Sequence, residues 1–145
     1  MPDIIRKSIA ALPIAKRMRW GNNTAEFVRP VHWAVLLYGE NVIETEILGL
    51  KTGNQTRGHR FHAPEAITIS IPQSYAQVLL EQGKVFADFN QRREIIRARA
   101  NEAAAKVGGI AHIEDDLLDE ITALNEAPVP VIGNFEPRFL TLPKE

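Results

Sequence analysis

Phe27-Val28-Arg29-Pro30-Val31-His32-Trp33-Ala34-Val35-Leu36-Leu37-Tyr38 reads as a β-strand in the middle of a sheet. Successive side chains of a strand point to opposite faces, so Val31, Trp33, Val35 and Leu37 fall on one side and Ala34, Leu36 and Tyr38 on the other. Apolar residues on both faces suit a central strand covered from both sides. Pro30 has no N–H for a ladder and belongs near the strand's start or at a bulge. Arg29 and His32 flank it, and His32 reads as a satisfied core or edge histidine rather than a base or metal ligand.

Downstream, Gly39-Glu40-Asn41 makes a short turn into Val42–Leu50, which gives a β-hairpin. Glu44 and Glu46 lie on one face of that second strand and Ile43 and Ile47 on the other, so it is half exposed. Upstream, residues 3–12 read as a helix with Asp3 as N-cap, Ile5, Ile9 and Leu12 at helical spacing, and Pro13 as its stop. Lys16-Arg17-Met18-Arg19-Trp20-Gly21 interleaves three cations with Met18 and Trp20. Two readings stay open there: a strip touching RNA, or an extended edge whose Trp20 joins the core.

Ile67–Ile71 alternates like a strand. Pro72 then opens a helix carrying Tyr75, Val78 and Leu79 that Gly83 ends. Lys84–Phe89 is β-compatible, and Asn90 is a plausible N-cap for the longest helix, residues 91–107. Ile96, Ala100, Ala103 and Val107 form its apolar stripe. Arg92, Arg99 and Lys106 border the stripe on one edge, Arg93 and Arg97 on the other. Such borders usually cover apolar surface with their stems and keep the charge in water, with an RNA-facing role as the alternative. After Gly108-Gly109, Ile110–Ile113 suggests a brief strand. Glu114-Asp115-Asp116 starts a helix with Leu117, Leu118, Ile121 and Leu124 on one side, its carboxylates favoured by the helix dipole. Ala127–Phe135 is an edge-like, proline-interrupted strand, and Glu136–Glu145 is an unpatterned tail whose Leu142–Glu145 end looks cut off. Interleaved strands and helices predict an α/β (α+β) fold: one domain over residues 1–145, with a mixed sheet, an antiparallel hairpin and helices packed on it.

The 145 residues include no cysteine. That excludes disulfides and thiolate metal sites and fits an intracellular, cytoplasmic protein. No signal-peptide run or membrane-spanning apolar stretch is present in the sequence, so no membrane partner is expected. The net charge of −1 hides an asymmetry: residues 1–62 carry nine Lys/Arg against five Asp/Glu, and residues 63–145 carry eight against thirteen. A basic front of +4 permits a nucleic-acid surface, and the acidic remainder of −5 masks it in the total.

The basic front culminates in Leu48-Gly49-Leu50-Lys51-Thr52-Gly53-Asn54-Gln55-Thr56-Arg57-Gly58-His59-Arg60-Phe61. Three glycines among Lys51, Arg57, His59 and Arg60 make either a tight structural crossover or an anion-contacting arm. His59 and His62 stand three apart, a metal spacing if helical, but the surrounding glycines and proline argue against a helix and no third ligand is evident. No Walker loop, Gly-x-Ser-x-Gly or His-Glu-x-x-His occurs, so no catalytic site and no metal site are expected.

Met18-Arg19-Trp20-Gly21, Phe27–Trp33, Leu48-Gly49, Thr56–Phe61, Asp119–Leu124 and Phe139–Pro143 resemble, in order and spacing, the beta subunit of bacterial glycyl-tRNA synthetase. The family's subunit is several times longer, so the resemblance implies an internal piece of it. It also implies an alpha-two beta-two ligase that joins glycine to tRNA(Gly), with ATP and Mg used through the alpha subunit and no cofactor in this segment. The fold is similar, more loosely, to the tRNA-binding and editing-type module of the phenylalanyl enzyme's beta subunit. The implied role is tRNA recognition, with Lys51, Arg57, His59, Arg60, Arg17, Arg19 and Trp20 as candidate contacts and no DNA partner. A structural scaffold for assembly, or an editing hydrolase of mischarged tRNA, are the alternatives. Editing has the weaker rationale, since a glycine site can exclude larger side chains sterically.

Overall fold

A computed structural model describes residues 1–141. The fold is mixed α/β, with small antiparallel sheets, one mixed three-stranded sheet and packed helices. The chain divides into two compact units, Met1–Val85 and Phe86 onward.

In the first unit, helix α1 spans Pro2–Ala10 with Met1 as its cap, not Asp3. Asp3 lies inside the first turn, where the helix dipole favours an acid, and binds Arg6 at 2.9 Å. Strands β1 (Met18–Arg19) and β2 (Glu26–Phe27) pair antiparallel, with Arg19 opposite Glu26. The expected strand over 27–38 is broken into β2, β3 (Ala34–Val35) and β4 (Leu37–Tyr38). Pro30 falls in its unpaired middle, where no amide is available at that position to continue a ladder.

The hairpin forms at its turn: β4 pairs with β5 (Asn41–Val42), Leu37 facing Val42. One further bond, Ile43 N–H to Leu36 O at 3.0 Å, extends it. Val42–Leu50 is not one strand. Residues 43–45 wrap around the buried Thr52 hydroxyl, which donates to Ile43 O at 2.6 Å and accepts from Thr45 N–H at 2.8 Å. The chain resumes as β6 (Glu46–Ile47) and reverses at Leu48-Gly49, whose φ values of 52° and 78° fit a two-residue hairpin turn.

That reversal makes β7 (Leu50–Gly53) the spine of the mixed sheet, antiparallel to β6 and parallel to β3. Strand β8 (Gln55–Arg57) pairs with β9 (Ala66–Thr68). Helix α2 (Tyr75–Glu81) buries Leu79 with Ile47, Ile67 and Ile69, and Thr52 and Thr56 complete the buried set of this unit. Behind α2, Gly83 lies so close to Gly58 that His59 N–H donates to Gly83 O at 2.7 Å.

The second unit is built on α3 (Phe89–Lys106) and α4 (Asp115–Leu124). Asp88, not Asn90, caps α3, its carboxylate accepting from Gln91 N–H at 2.7 Å. Lys84–Phe89 and Ile110–Ile113 form no strand, and neither does Ala127–Phe135. Leu118 and Thr122 are the buried residues of α4, whereas Leu117 and Leu124 face solvent, so the apolar side is narrower than the sequence suggests. Thr122 remains satisfied by donating its hydroxyl to Leu118 O. A 3-10 turn covers Pro137–Thr141, and Leu142–Glu145, with the end of the Phe139–Pro143 stretch, lies outside the described residues.

Candidate functional site

Half of the Leu48–Phe61 segment is sheet, in β7 and β8. Its glycines serve a reversal at Gly49 and a close backbone approach at Gly58, and its cations ride on β7, β8 and the turn after β8. Lys51 is exposed on β7, opposite Glu46 in register and beside Glu44 at the rim of a shallow hollow of about 490 Å³. Arg57, exposed on β8, spends one Nη on Pro64 O at 2.9 Å and keeps its remaining donors.

The turn after β8 is organised by His59. Its Nδ1 accepts from Phe61 N–H at 3.2 Å and from His62 N–H at 3.3 Å. The imidazole is thereby fixed as a turn-forming acceptor, with the His62 ring 4.5 Å away centroid to centroid. Among the described residues, no group of three or more His, Asp or Glu side chains is placed to hold a metal. Arg60 is exposed, its guanidinium 5.8 Å from the centre of the Phe61 ring. Phe61 is itself 81% exposed, a candidate aromatic contact that the sequence reading omitted. Its position next to Arg60 and between two histidines was the available signal.

The three upstream candidates divide. Arg17 turns back onto α1, donating to Ala10 O at 3.0 Å and Ile9 O at 3.4 Å, so it caps that helix's free carbonyls. Arg19 is exposed on β1 without a hydrogen-bonded or ionic partner among the described residues. Trp20 is half-buried just after it.

Charge accounting separates the two units. Each of the six described cations after Val85 has a partner. Arg93 binds Asp119 and Asp115, Arg97 binds Asp115 at 2.7 Å and Lys106 binds Glu102 at 2.7 Å. Arg138 binds Glu136, while Arg92 and Arg99 donate to the carbonyls of Thr122 and Pro128. The α3 arginines therefore tie α4 and the segment around Pro128 to the helix, instead of leaving their charge in water as their place beside an apolar stripe suggests. Hydrogen bonds and charge from Arg97 and Arg93 hold the Asp115 carboxyl below the usual carboxylate range. In the first unit Arg19, Arg29, Lys51 and Arg60 have no carboxylate within 4.0 Å among the described residues, and neither does Arg57.

The family model for the glycyl-tRNA synthetase beta subunit matches residues 1–145. The chain is similar to the glycine–tRNA ligase beta subunit of Marinobacter nauticus, at 58% identity over 146 residues. It is 51% identical to that of Hahella chejuensis and 50% to that of Azotobacter vinelandii, each over 145 residues. These matches cover the whole chain but 21% of each relative, so the chain spans about a fifth of the length of the relatives it matches.

Proposed function

The chain belongs to the glycyl-tRNA synthetase beta subunit family, and from that premise we propose that it supplies tRNA(Gly) contacts to the ligase without an aminoacylation site of its own. The observation carrying this reading is the contrast in charge. In the first unit Arg19, Arg29, Lys51, Arg57 and Arg60 are exposed with no carboxylate within 4.0 Å among the described residues, although Arg6 pairs with Asp3 and Arg17 caps α1, whereas Arg93, Arg97, Lys106 and Arg138 of the second unit are all ion-paired. Free guanidinium and ammonium groups on rigid strands are suited to phosphate, because each contact releases condensed counterions and needs no prior ion pair to be broken. Lys51, Arg57 and Arg60 are the principal contacts in this proposal, with Arg19 as a further phosphate contact and His59 and Trp20 as secondary sugar or base contacts. Arg17 contributes mainly by capping α1.

ATP, Mg and glycine are handled by the alpha subunit in this scheme, within an alpha-two beta-two assembly in the cytoplasm. Among the described residues, no helix is long and apolar enough to cross a membrane. A scaffold role is the second reading for the residues after Gly109. It is favoured by the exposed Val129, Val131 and Phe135 on an extended stretch without a strand partner.

Lysine footprinting tests the proposal. Lys51, exposed on β7, should react readily with an amine-acylating reagent in the full two-subunit enzyme and become protected when tRNA(Gly) is added. ATP and glycine without tRNA should leave its reactivity unchanged. Equal modification of Lys51 with and without saturating tRNA would remove it from the interface.

A further inference from the structure

Trp33 stands between two hollows of the first unit. On one side is a space of about 420 Å³ bordered by His32, Gln55, Thr56 and Arg57. On the other is a more apolar space of about 450 Å³ that Trp33 and Thr56 share with Tyr75. The indole is fixed between them: its Nε1–H donates to the buried Thr56 Oγ1 at 3.1 Å, anchoring the ring to β8. Yet Trp33 remains 43% exposed and Tyr75 41%, so aromatic surface that could have been buried is instead presented to solvent.

An anchored aromatic face, an amide able to donate and accept, and a guanidinium with spare donors are the groups that recognise one unstacked nucleotide. The base stacks on the ring, the amide meets the base edge and the arginine takes the phosphate. Each hollow falls in the range used for small ligands, about 300–1,000 Å³. Arg57 reaches this place because its bond to Pro64 O fixes one Nη and leaves the others free. His32, with its ring centroid 6.5 Å from that of Trp33, adds a second planar group beside the indole.

We propose that the Trp33–Arg57 hollows form a subsite for a single unpaired RNA nucleotide, with Trp33 as the stacking platform, Gln55 at the base edge and Arg57 on the phosphate. The subsite rests on the tRNA-contact reading above and adds to it a preference for unpaired over duplex RNA. An unpaired nucleotide of tRNA and a free mononucleotide share this chemistry, and RNA is the source favoured by the tRNA-contact reading of Arg57, the cation that borders the hollow.

The test uses the full two-subunit enzyme with three probes: an unstructured five-nucleotide RNA, a blunt RNA duplex and AMP. Trp33→Leu should weaken the single-stranded probe about tenfold or more, the effect of losing one base–aromatic stack. Trp33→Phe should restore most of that loss. Duplex affinity should not change with either variant, whereas Lys51→Ala with Arg60→Ala should weaken duplex and single strand alike. Should Trp33→Leu unfold, Gln55→Ala and Tyr75→Ala, both at exposed positions, replace it with the same expectation for the single strand. Unchanged single-strand affinity in folded variants would overturn the subsite, while duplex weakening by the Lys51/Arg60 pair would leave the tRNA-contact reading standing. Displacement of the five-nucleotide RNA by AMP but not by tRNA would assign the hollow to a free mononucleotide and overturn the RNA source.

Discussion

Replacing Gly58 by alanine should damage the first unit through one contact. A Cβ built at Gly58 would lie 2.3 Å from the Cα and 2.4 Å from the carbonyl oxygen of Gly83. Ordinary carbon contacts need roughly 3.5–4.0 Å, so the two backbones must separate by more than 1 Å. Neither neighbour is a side chain that can swing away. Separation breaks the 2.7 Å bond from His59 N–H to Gly83 O and disturbs Leu79, whose carbonyl already lies close to Gly83. Overpacking costs about 1–3 kcal/mol, and one lost hydrogen bond adds about 0.5–1.5 kcal/mol. The total is about 2–4 kcal/mol, which corresponds to a roughly 30- to 1,000-fold fall in hydrogen-exchange protection of the core strands. The assay is hydrogen exchange of the full subunit, read on the amides of β7, β8 and β9. Gly53→Ala serves as control, since nothing lies within 4 Å of its Cβ position. Protection in Gly58→Ala equal to wild type would refute the reasoning.

Two further outcomes are expected. The Asp115 carboxyl, held down by Arg97 and Arg93, stabilises the α3–α4 contact above its ordinary value of 3.8, and that stabilisation is lost only as pH falls below 3.8 through the depressed value. An NMR titration should therefore place its midpoint below 3.8 and move it upward in Arg97→Ala. Replacing His59 and His62 by Asn should leave aminoacylation kcat of the full enzyme within about tenfold, or roughly 1.4 kcal/mol in the barrier. Asparagine can still accept the turn amides that His59 Nδ1 accepts now. Steady-state charging of tRNA checks this, and a loss of several orders of magnitude with the fold intact would contradict it.

The parts of the fold legible in the sequence were those set by local pattern. The Gly39 turn, the helix after Pro72 and the long helix ending before Gly108-Gly109 all appear where spacing and breakers put them. What was hidden depends on partners distant in sequence. Val42–Leu50 alternates like one strand, but the Thr52 hydroxyl draws in residues 43–45, and a reversal at Leu48 requires a positive φ at a leucine, which local statistics disfavour. Phe27–Tyr38 looked continuous because its apolar pattern is, although Pro30 and the parallel pairing of Ala34 with Thr52 divide it. At the candidate site, the composition of the Leu48–Phe61 segment singled out Lys51, Arg57 and Arg60, all of which the structure leaves exposed. It could not show that Arg17 is diverted to the end of α1, nor that β7 and β8 hold Lys51 and Arg57 rigidly rather than on a loose arm.

The most direct measurement is the salt dependence of tRNA(Gly) binding by the full enzyme, compared between wild type and the triple variant Lys51→Ala, Arg57→Ala, Arg60→Ala. Each lost phosphate contact should reduce the slope of log K against log salt by roughly 0.7–0.9. Three contacts thus predict a slope shallower by about 2–2.7 and weaker binding at low salt, with glycine-dependent pyrophosphate exchange unchanged. A correctly assembled triple variant with wild-type affinity and wild-type slope would contradict the assignment of these three residues to tRNA.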